Sequence, residues 1–248
     1  MITLNDYLYS GDTMFKILKN YSRDLKAEAK QTNNEIDLIH ANFLIQIREL
    51  LEHNDFLTSQ SQKIREFYKY MAQEYPYLSF TFKGRIKSLI RAEGKFNGYI
   101  LEYIYDYYEK NGSYPSVSEI KERLNCFRDL IAYRIVISMP RCHMKQQQDR
   151  KKEEIRYLYR IANVLPQFLE ERGFTAEPTG GVKRSNSLLL DDVVRPYYRD
   201  YIDGESTNSY RSLHITFFDN SARCYMEMQL RTKEMDLSLI HISEPTRP

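Results

Sequence analysis

Apolar residues recur at helical spacing through the first part of the chain. Between Ile36 and Leu50 they are three or four residues apart, which is the spacing of one face of an α-helix. A second run of this kind covers residues 62–74 and stops before Pro76, because helical conformation is disfavoured in the residue before a proline. The pattern predicts a helical N-terminal region over residues 1–78.

Helical signals continue in the next fifty residues. Residues 84–97 are basic and compatible with a helix, and a tyrosine-rich amphipathic stretch over 99–110 ends at the turn signal Asn111-Gly112. Ser116 and Glu119 have the spacing of a capping box, in which each side chain bonds the backbone N–H of the other residue. We therefore expect another helix to begin at this point.

The period changes to that of strands after residue 129. Residues 130–137 form a short run rich in β-branched side chains that stops at Pro140, which indicates a buried strand. A long helix over residues 152–172 and a short strand over 174–177 are expected to follow. Helices and strands thus occur in one chain, without internal repeats.

Two segments near the end alternate between apolar and polar side chains. Such alternation places the two kinds on opposite faces of a strand. The polar rows consist of Tyr210, Ser212, His214 and Thr216 in the first segment and Glu227, Gln229 and Arg231 in the second. A hairpin at residues 219–222 would bring these rows side by side. An antiparallel sheet with one wet face is one interpretation, and a nucleotide site, which needs a ring, donors, a carboxylate and a cation, is the other.

Further charged residues suggest partners for such a site. Asp129 begins the buried strand, and a magnesium ion would offset the unfavourable energy of an isolated carboxylate there. Lys87, Arg91 and Lys95 fall at i, i+4 and i+8, on one face of a helix. This face is either solvated or neutralises the phosphates of a triphosphate. No glycine-rich phosphate loop is present in the sequence.

Composition narrows the class of protein. With 42% hydrophobic and 28% charged residues in 248, the chain can form a globular core. It has neither a signal peptide nor an apolar run of about 20 residues, so we expect no membrane span and a cytoplasmic location. The three cysteines lack metal-ligand spacing, and a net charge of +2 argues against a nucleic-acid partner.

The chain changes character after Asp236. Residues 237–248 lose the preceding pattern and resemble a translated sequencing adapter joined to a truncated gene. We expect this tail to be non-native and exclude it from the fold.

Four motifs in chain order resemble the synthetase domain of RelA/SpoT-type alarmone synthetases, in a small stand-alone form. They are Gly84-Arg85-Ile86-Lys87 with Lys95, then Phe127-Arg128-Asp129-Leu130-Ile131-Ala132-Tyr133-Arg134, then Arg199-Asp200-Tyr201-Ile202 with Asn208-Ser209-Tyr210-Arg211-Ser212-Leu213-His214, and Glu227-Met228-Gln229-Leu230-Arg231-Thr232. The resemblance implies an α+β fold with a nucleotidyltransferase-like mixed β-sheet flanked by helices. It places the synthetase domain at residues 79–236.

The resemblance also implies an activity, the transfer of pyrophosphate from ATP to the 3′-hydroxyl of GTP or GDP. The implied ATP-binding residues are Arg85, Lys87, Arg91 and Lys95, and the implied acceptor-binding residues are Arg199, Asn208, Tyr210, His214, Gln229 and Arg231. Asp129 would hold Mg²⁺, and Glu227 would either bind metal or act as general base. A homo-oligomer is compatible with this family likeness.

Two departures from the family pattern leave other functions open. Ser206 replaces a lysine and Ser209 replaces a glycine, which affects the part of the motif that meets the acceptor. An inactive nucleotide-binding module of the same fold is one alternative. Another nucleotidyltransferase, acting on RNA or on a different nucleotide, is the second.

Overall fold

The fold is seen in a computed structural model. It describes residues 2–52, 54–86, 89–124, 128, 131–144, 149–180, 185–202, 210–221 and 224–243. Within them, no helix combines the length and the apolar character that crossing a bilayer requires.

The N-terminal part of the chain is helical, as expected. It forms α1 (Asn5–Leu8), α2 (Met14–Thr32), α3 (Glu35–Glu52) and α4 (Asn54–Glu74). The Oγ1 atom of Thr13 caps the start of α2 by accepting from the backbone N–H of Lys16. Helix α4 ends before Pro76, which confirms the stop predicted from the proline.

Contacts divide the chain into two compact units, each described by itself below. The first consists of Met1–Gln60 and Lys87–Phe127, and the second of Ser61–Ile86 and Arg128–Pro248. The domain limits expected from the sequence, 1–78, 79–236 and 237–248, stay predictions.

The first unit contains further short helices after α3. They are α5 (Leu89–Phe96), a π-helical turn (Asn97–Leu101), α6 (Glu102–Asn111) and α7 (Val117–Leu124). Gly112 ends α6 in a left-handed conformation with φ 66°, a role suited to glycine. The capping box is confirmed, because the backbone N–H of Ser116 donates to Glu119 Oε2 at 2.7 Å and that of Glu119 to Ser116 Oγ at 3.3 Å.

The second unit is built on a mixed sheet. In the described part of the chain its strands are β1 (Ser79–Ile86), β2 (Ile131–Ser138), β3 (Phe174–Glu177), β4 (Tyr198–Asp200), β5 (Leu213–Asp219) and β6 (Cys224–Thr232). Their order is β1-β2-β6-β5-β3, and β4 also pairs with β5. Strands β2 and β6 are parallel and the other pairs antiparallel. The expected α+β class, a mixed sheet with helices, is confirmed.

Helices α8 (Arg150–Glu170) and α9 (Lys233–Ser243) accompany this sheet. Helix α8 contacts β2, β3 and β6, and its Ala162 carbonyl accepts a hydrogen bond of 2.7 Å from Tyr198 Oη on β4. Gly173, with φ 87°, follows the helix at the expected stop. Helix α9 continues past Asp236 to Ser243, and the non-native origin expected for residues 237–248 stays a prediction.

The prediction that residues 84–97 are helical was wrong at its start. Residues 84–86 belong to β1, which pairs with β2 along its whole length. Local composition does not predict this strand, because the strand is stabilised by pairing with β2, which is distant in the sequence. Pairing also explains Gly84, since a Cβ atom there would lie 3.1 Å from the ring of Tyr133. The helical part is α5.

Candidate functional site

A row of polar residues crosses the sheet of the second unit from strand to strand. Lys83 on β1 pairs with Arg134 on β2, and Arg134 pairs with Gln229 on β6. Gln229 in turn pairs with His214 on β5, which pairs with Arg199 on β4. Paired residues of neighbouring strands point to the same face. One face of the sheet therefore carries a continuous polar row.

A second row on this face contains Glu227. Glu227 pairs with Thr216 on β5 and with Ala132 on β2. Ala132 in turn pairs with Arg85 on β1. Position 85 thus lies on the same face as Glu227, two strands away. This face is not a wet surface on β5 and β6, because His214, Thr216, Glu227 and Gln229 are all buried. The wet-face interpretation of the alternating pattern is therefore wrong.

Three side chains donate hydrogen bonds to the carboxylate of Glu227. Arg199 Nη2 lies 2.7 Å and His214 Nδ1 3.0 Å from its Oε1 atom, and Gln229 Nε2 lies 2.7 Å from Oε2. Burial raises the pKa of Glu227, but the hydrogen bond from His214, the charge that His214 carries in acid, the hydrogen bond from Gln229 and the charge of Arg199 outweigh burial and hold the pKa at about 2. Glu227 is therefore ionised at neutral pH.

His214 links this carboxylate to Tyr210. Burial lowers the pKa of His214 below its usual value, so the ring is neutral at pH 7. One ring nitrogen of a neutral histidine donates and the other accepts. Nδ1 faces an acceptor-only carboxylate and donates, so Nε2 accepts from Tyr210 Oη at 2.7 Å. The tautomer follows from these partners.

Arg231 lies behind Tyr210 and is 1% exposed. Its Nη2 donates to Tyr210 Oη at 2.6 Å and to Gln229 Oε1 at 3.1 Å, and its Nε donates to Ser212 Oγ at 3.2 Å. The guanidinium carbon is 4.9 Å from the centroid of the Tyr210 ring, within range of a cation–π contact. The buried guanidinium of Arg231 thus holds the Tyr210 side chain in place through a hydrogen bond and a cation–π contact.

Tyr201 is a site residue that the sequence reasoning missed. Its ring centroid lies 5.5 Å from that of Tyr210, with the planes perpendicular, and 4.9 Å from that of His214. The chain is fixed beside it by the buried Asp200, whose Oδ2 accepts from Tyr159 Oη at 2.7 Å and Ser185 Oγ at 2.6 Å. The sequence offered one indication, because Tyr201 lies two residues after the predicted site residue Arg199 in the same motif.

A family model matches this part of the chain. Residues 185–240 match the family model described as the region found in RelA / SpoT proteins. We call residues 185–240 the RelA/SpoT region after this match. This region includes β4, β5, β6 and the whole network from Arg199 to Arg231. No curated protein matches the chain.

Two solved structures resemble the chain that carries this RelA/SpoT region. The small alarmone synthetase 1 from Bacillus subtilis is 18% identical with a TM-score of 0.37, and the match covers 76% of each chain. A GTP pyrophosphokinase family protein from Streptococcus pneumoniae is 14% identical with a TM-score of 0.27. That match covers 64% of this chain and 76% of the other. At these TM-scores neither structure adds to the family match.

The predicted acceptor residues that the structure describes lie in one hydrogen-bonded network with Glu227, the predicted metal ligand or base. These acceptor residues are Arg199, Tyr210, His214, Gln229 and Arg231. Asn208, Asp129, Lys87 and the side chain of Arg85 lie outside the description, so their roles stay predictions.

The basic residues Arg91 and Lys95 lie on α5, in the first unit. Arg91 is exposed and Lys95 half-buried, with Lys95 Nζ 5.7 Å from the centroid of the Tyr99 ring. Since they are four residues apart in one helix, the shared face expected for this pair is confirmed. Their binding of ATP stays a prediction.

The expected magnesium site can be compared with the residues of the RelA/SpoT region. Among described residues, no group of three His, Cys, Asp or Glu side chains could hold a metal. Mg²⁺ is usually held by one or two carboxylates together with waters and substrate phosphates. Glu227, which is ionised, fits one such ligand position. The described side chains therefore fit a shared magnesium site and do not form a complete one themselves.

Proposed function

We propose that this chain is a (p)ppGpp synthetase that transfers the β,γ-pyrophosphate of ATP to the 3′-hydroxyl of GTP or GDP. The hydroxyl oxygen forms a bond to Pβ, the bond between Pβ and the α,β-bridging oxygen breaks, and AMP leaves while the hydroxyl loses its proton. The observation that carries the proposal is the buried network around Glu227, located within the RelA/SpoT region.

Tyr210 provides the surface for the guanine base in this proposal. Stacking of a base on an aromatic ring contributes about 1–3 kcal/mol. The cation of Arg231, 4.9 Å from the ring centroid, supports this stacking surface from within the fold. Arg199, Asn208 and His214 contact the phosphates and ribose of the acceptor, and Gln229 and Arg231 complete the site.

The phosphates of ATP are assigned to Arg85, Lys87, Arg91 and Lys95. Arginine forks and lysine ammonium groups neutralise phosphate oxygens through charge-assisted hydrogen bonds. The register supports one of these assignments, because position 85 lies on the same face as Glu227. Neutralising charge on the transferred group and aligning it with the hydroxyl supply most of the rate enhancement in phosphoryl transfer.

Glu227 acts as an anionic ligand in this proposal. A general base is most effective when its pKa lies near the working pH, and the pKa of Glu227 is about 2. Its charge therefore serves better to hold a cation than to take a proton. With Asp129 it would hold Mg²⁺, which when bound would neutralise charge on the transferred phosphates. Cytoplasmic location and homo-oligomerisation stay predictions.

A substrate panel tests the function. The purified protein is incubated with magnesium and [γ-³²P]ATP, together with GTP, GDP, another nucleoside triphosphate or an RNA primer, and products are separated by thin-layer chromatography. Labelled pppGpp from GTP or ppGpp from GDP is expected. A parallel incubation with [α-³²P]ATP detects transfer of AMP, and α-label on RNA or on another nucleotide would favour a different nucleotidyltransferase. No product from folded protein would favour the inactive module.

A further inference from the structure

A partly buried carboxylate outside the site described above lies on α5. Glu93 is located between Arg91 and Lys95, and both of its oxygens are engaged by residues of the N-terminal helices. Tyr21 Oη on α2 donates to Oε1 at 2.7 Å, and His40 Nε2 on α3 lies 2.7 Å from Oε2. Three helices of the first unit therefore meet at one side chain.

A second contact holds the same helix one turn further on. The ring of His40 stacks on that of Phe96, with centroids 4.1 Å apart and planes at 12°. Phe43 on α3 also stacks on Phe96, at 5.5 Å. His40 thus contacts α5 twice, through Glu93 and through Phe96. Rotation of α5 about its axis would break both contacts together.

Stability alone gives a weak reason for a carboxylate at this position. Burying a charge is unfavourable unless it is fully paired, and a well-packed apolar group of similar size is often as stable. Burial and the hydrogen bond to Glu93 raise the pKa of Tyr21, which keeps its hydroxyl a donor. A directional bond fixes the orientation of α5 more sharply than apolar packing does.

The other face of α5 carries two positive charges. Arg91 and Lys95 lie four residues apart on one face, and like charges at this spacing repel each other. Helix α5 continues through the π-helical turn into α6, and its rotation about its axis depends on the contacts that its inner face makes. Fixing the inner face therefore fixes the direction in which the two cations point.

We propose that Glu93 is a positioning residue, which with Tyr21 and His40 fixes α5 so that Arg91 and Lys95 meet the phosphates of ATP. This inference rests on the proposed function, because it assigns ATP to the basic face. It makes α2 and α3 part of the ATP-binding apparatus.

Separate KM values for the two substrates test the inference. Glu93→Gln keeps the size of the side chain and removes its charge, and Tyr21→Phe removes only the hydroxyl. The KM for ATP should rise about tenfold in Glu93→Gln and about threefold in Tyr21→Phe, corresponding to partial loss of charge-assisted hydrogen bonds. The KM for GTP should change less than twofold. Glu93→Asp should restore part of the affinity for ATP.

A matched variant separates positioning from general stability. Ala29→Gly weakens α2 two turns from Tyr21, at a buried position whose side chain cannot hydrogen-bond Glu93. It should lower Tm and leave both KM values unchanged. If Glu93→Gln does not fold, Tyr21→Phe carries the test. Equal rises of both KM values, or an unchanged KM for ATP in the folded variants, would overturn the inference.

Equilibrium binding distinguishes this inference from the proposed function. Calorimetry measures the affinity of α,β-methylene-ATP with magnesium for the wild type and for Glu93→Gln. If the wild type makes no pppGpp, the proposed function fails, and a tenfold weaker analogue affinity in the variant still supports the positioning role. Equal affinities would overturn the inference alone. No binding by the wild type would overturn both.

Discussion

The Nδ1 atom of His214 lies 3.0 Å from the Oε1 atom of Glu227, and both side chains are buried. The two residues are on neighbouring strands but are not directly paired, since His214 pairs with Gln229 and Glu227 with Thr216. Their diagonal contact joins the two polar rows of the sheet. His214 also bonds Tyr210 Oη, so it connects the carboxylate proposed to hold metal with the ring proposed to stack on guanine.

Replacing Glu227 by glutamine should remove activity without unfolding the protein. The amide fills the same space but lacks the charge that a metal ligand needs, so turnover should fall by about a thousandfold. The rate of pppGpp formation measures this. Glu66→Gln is the control, because Glu66 pairs with Arg172 at a partly exposed site and should matter little. Activity retained in Glu227→Gln would contradict the assigned role.

Two substitutions of Tyr210 separate its ring from its hydroxyl. Tyr210→Ala should raise the acceptor KM by about 5- to 150-fold, since stacking contributes about 1–3 kcal/mol. Tyr210→Phe loses the bonds to His214 and Arg231 but keeps the ring, so its acceptor KM should change much less. Steady-state kinetics with GTP varied distinguish the two. An equal effect of both variants would show that the hydroxyl, not stacking, is what matters.

Arg231→Lys should destabilise the fold although it conserves charge. Lysine cannot reproduce the planar fork by which Arg231 bonds Ser212, Tyr210 and Gln229. Leaving such buried groups without partners should lower the free energy of unfolding by about 2–4 kcal/mol, measured by urea denaturation. Arg172→Lys, at a partly exposed pair, should change it by less than about 1 kcal/mol.

The depressed pKa of Glu227 predicts a loss of stability in acid. The unfolded state takes up a proton near pH 4.5, whereas the folded state stays ionised down to about pH 2. The contribution of Glu227 is therefore complete above that range and is lost as pH falls through it. Urea denaturation of wild type and Glu227→Gln between pH 5 and pH 2 measures this. A stability difference independent of pH would contradict it.

The hairpin of β5 and β6 could be predicted because its period is local. Alternation from Leu213 to Thr216 and from Met226 to Arg231 identifies the strands and the residues that share a face. Burial of the polar face could not be predicted in this way, because an exposed face shows the same alternation. It depends on neighbours brought close by register, such as Arg199 beside His214.

Strand β1 and the role of Glu93 depend on contacts far apart in the sequence. The basic run after Phe82 is compatible with a helix, and only pairing with β2 makes residues 84–86 extended. In the sequence alone, Glu93 is one charged residue among several in a basic segment. Its partners Tyr21 and His40 are 72 and 53 residues away in the sequence, and no local sequence pattern predicts these contacts.

The stoichiometry of the products tests the central claim most directly. Folded protein is incubated with magnesium, ATP and GTP, and the nucleotides are quantified by ion-exchange chromatography with mass spectrometry. We expect AMP and pppGpp in equal amounts, with the added pyrophosphate on the 3′ position, and neither product with Glu227→Gln. Conversion of ATP to ADP and phosphate, or no conversion of GTP by the folded wild type, would contradict the account.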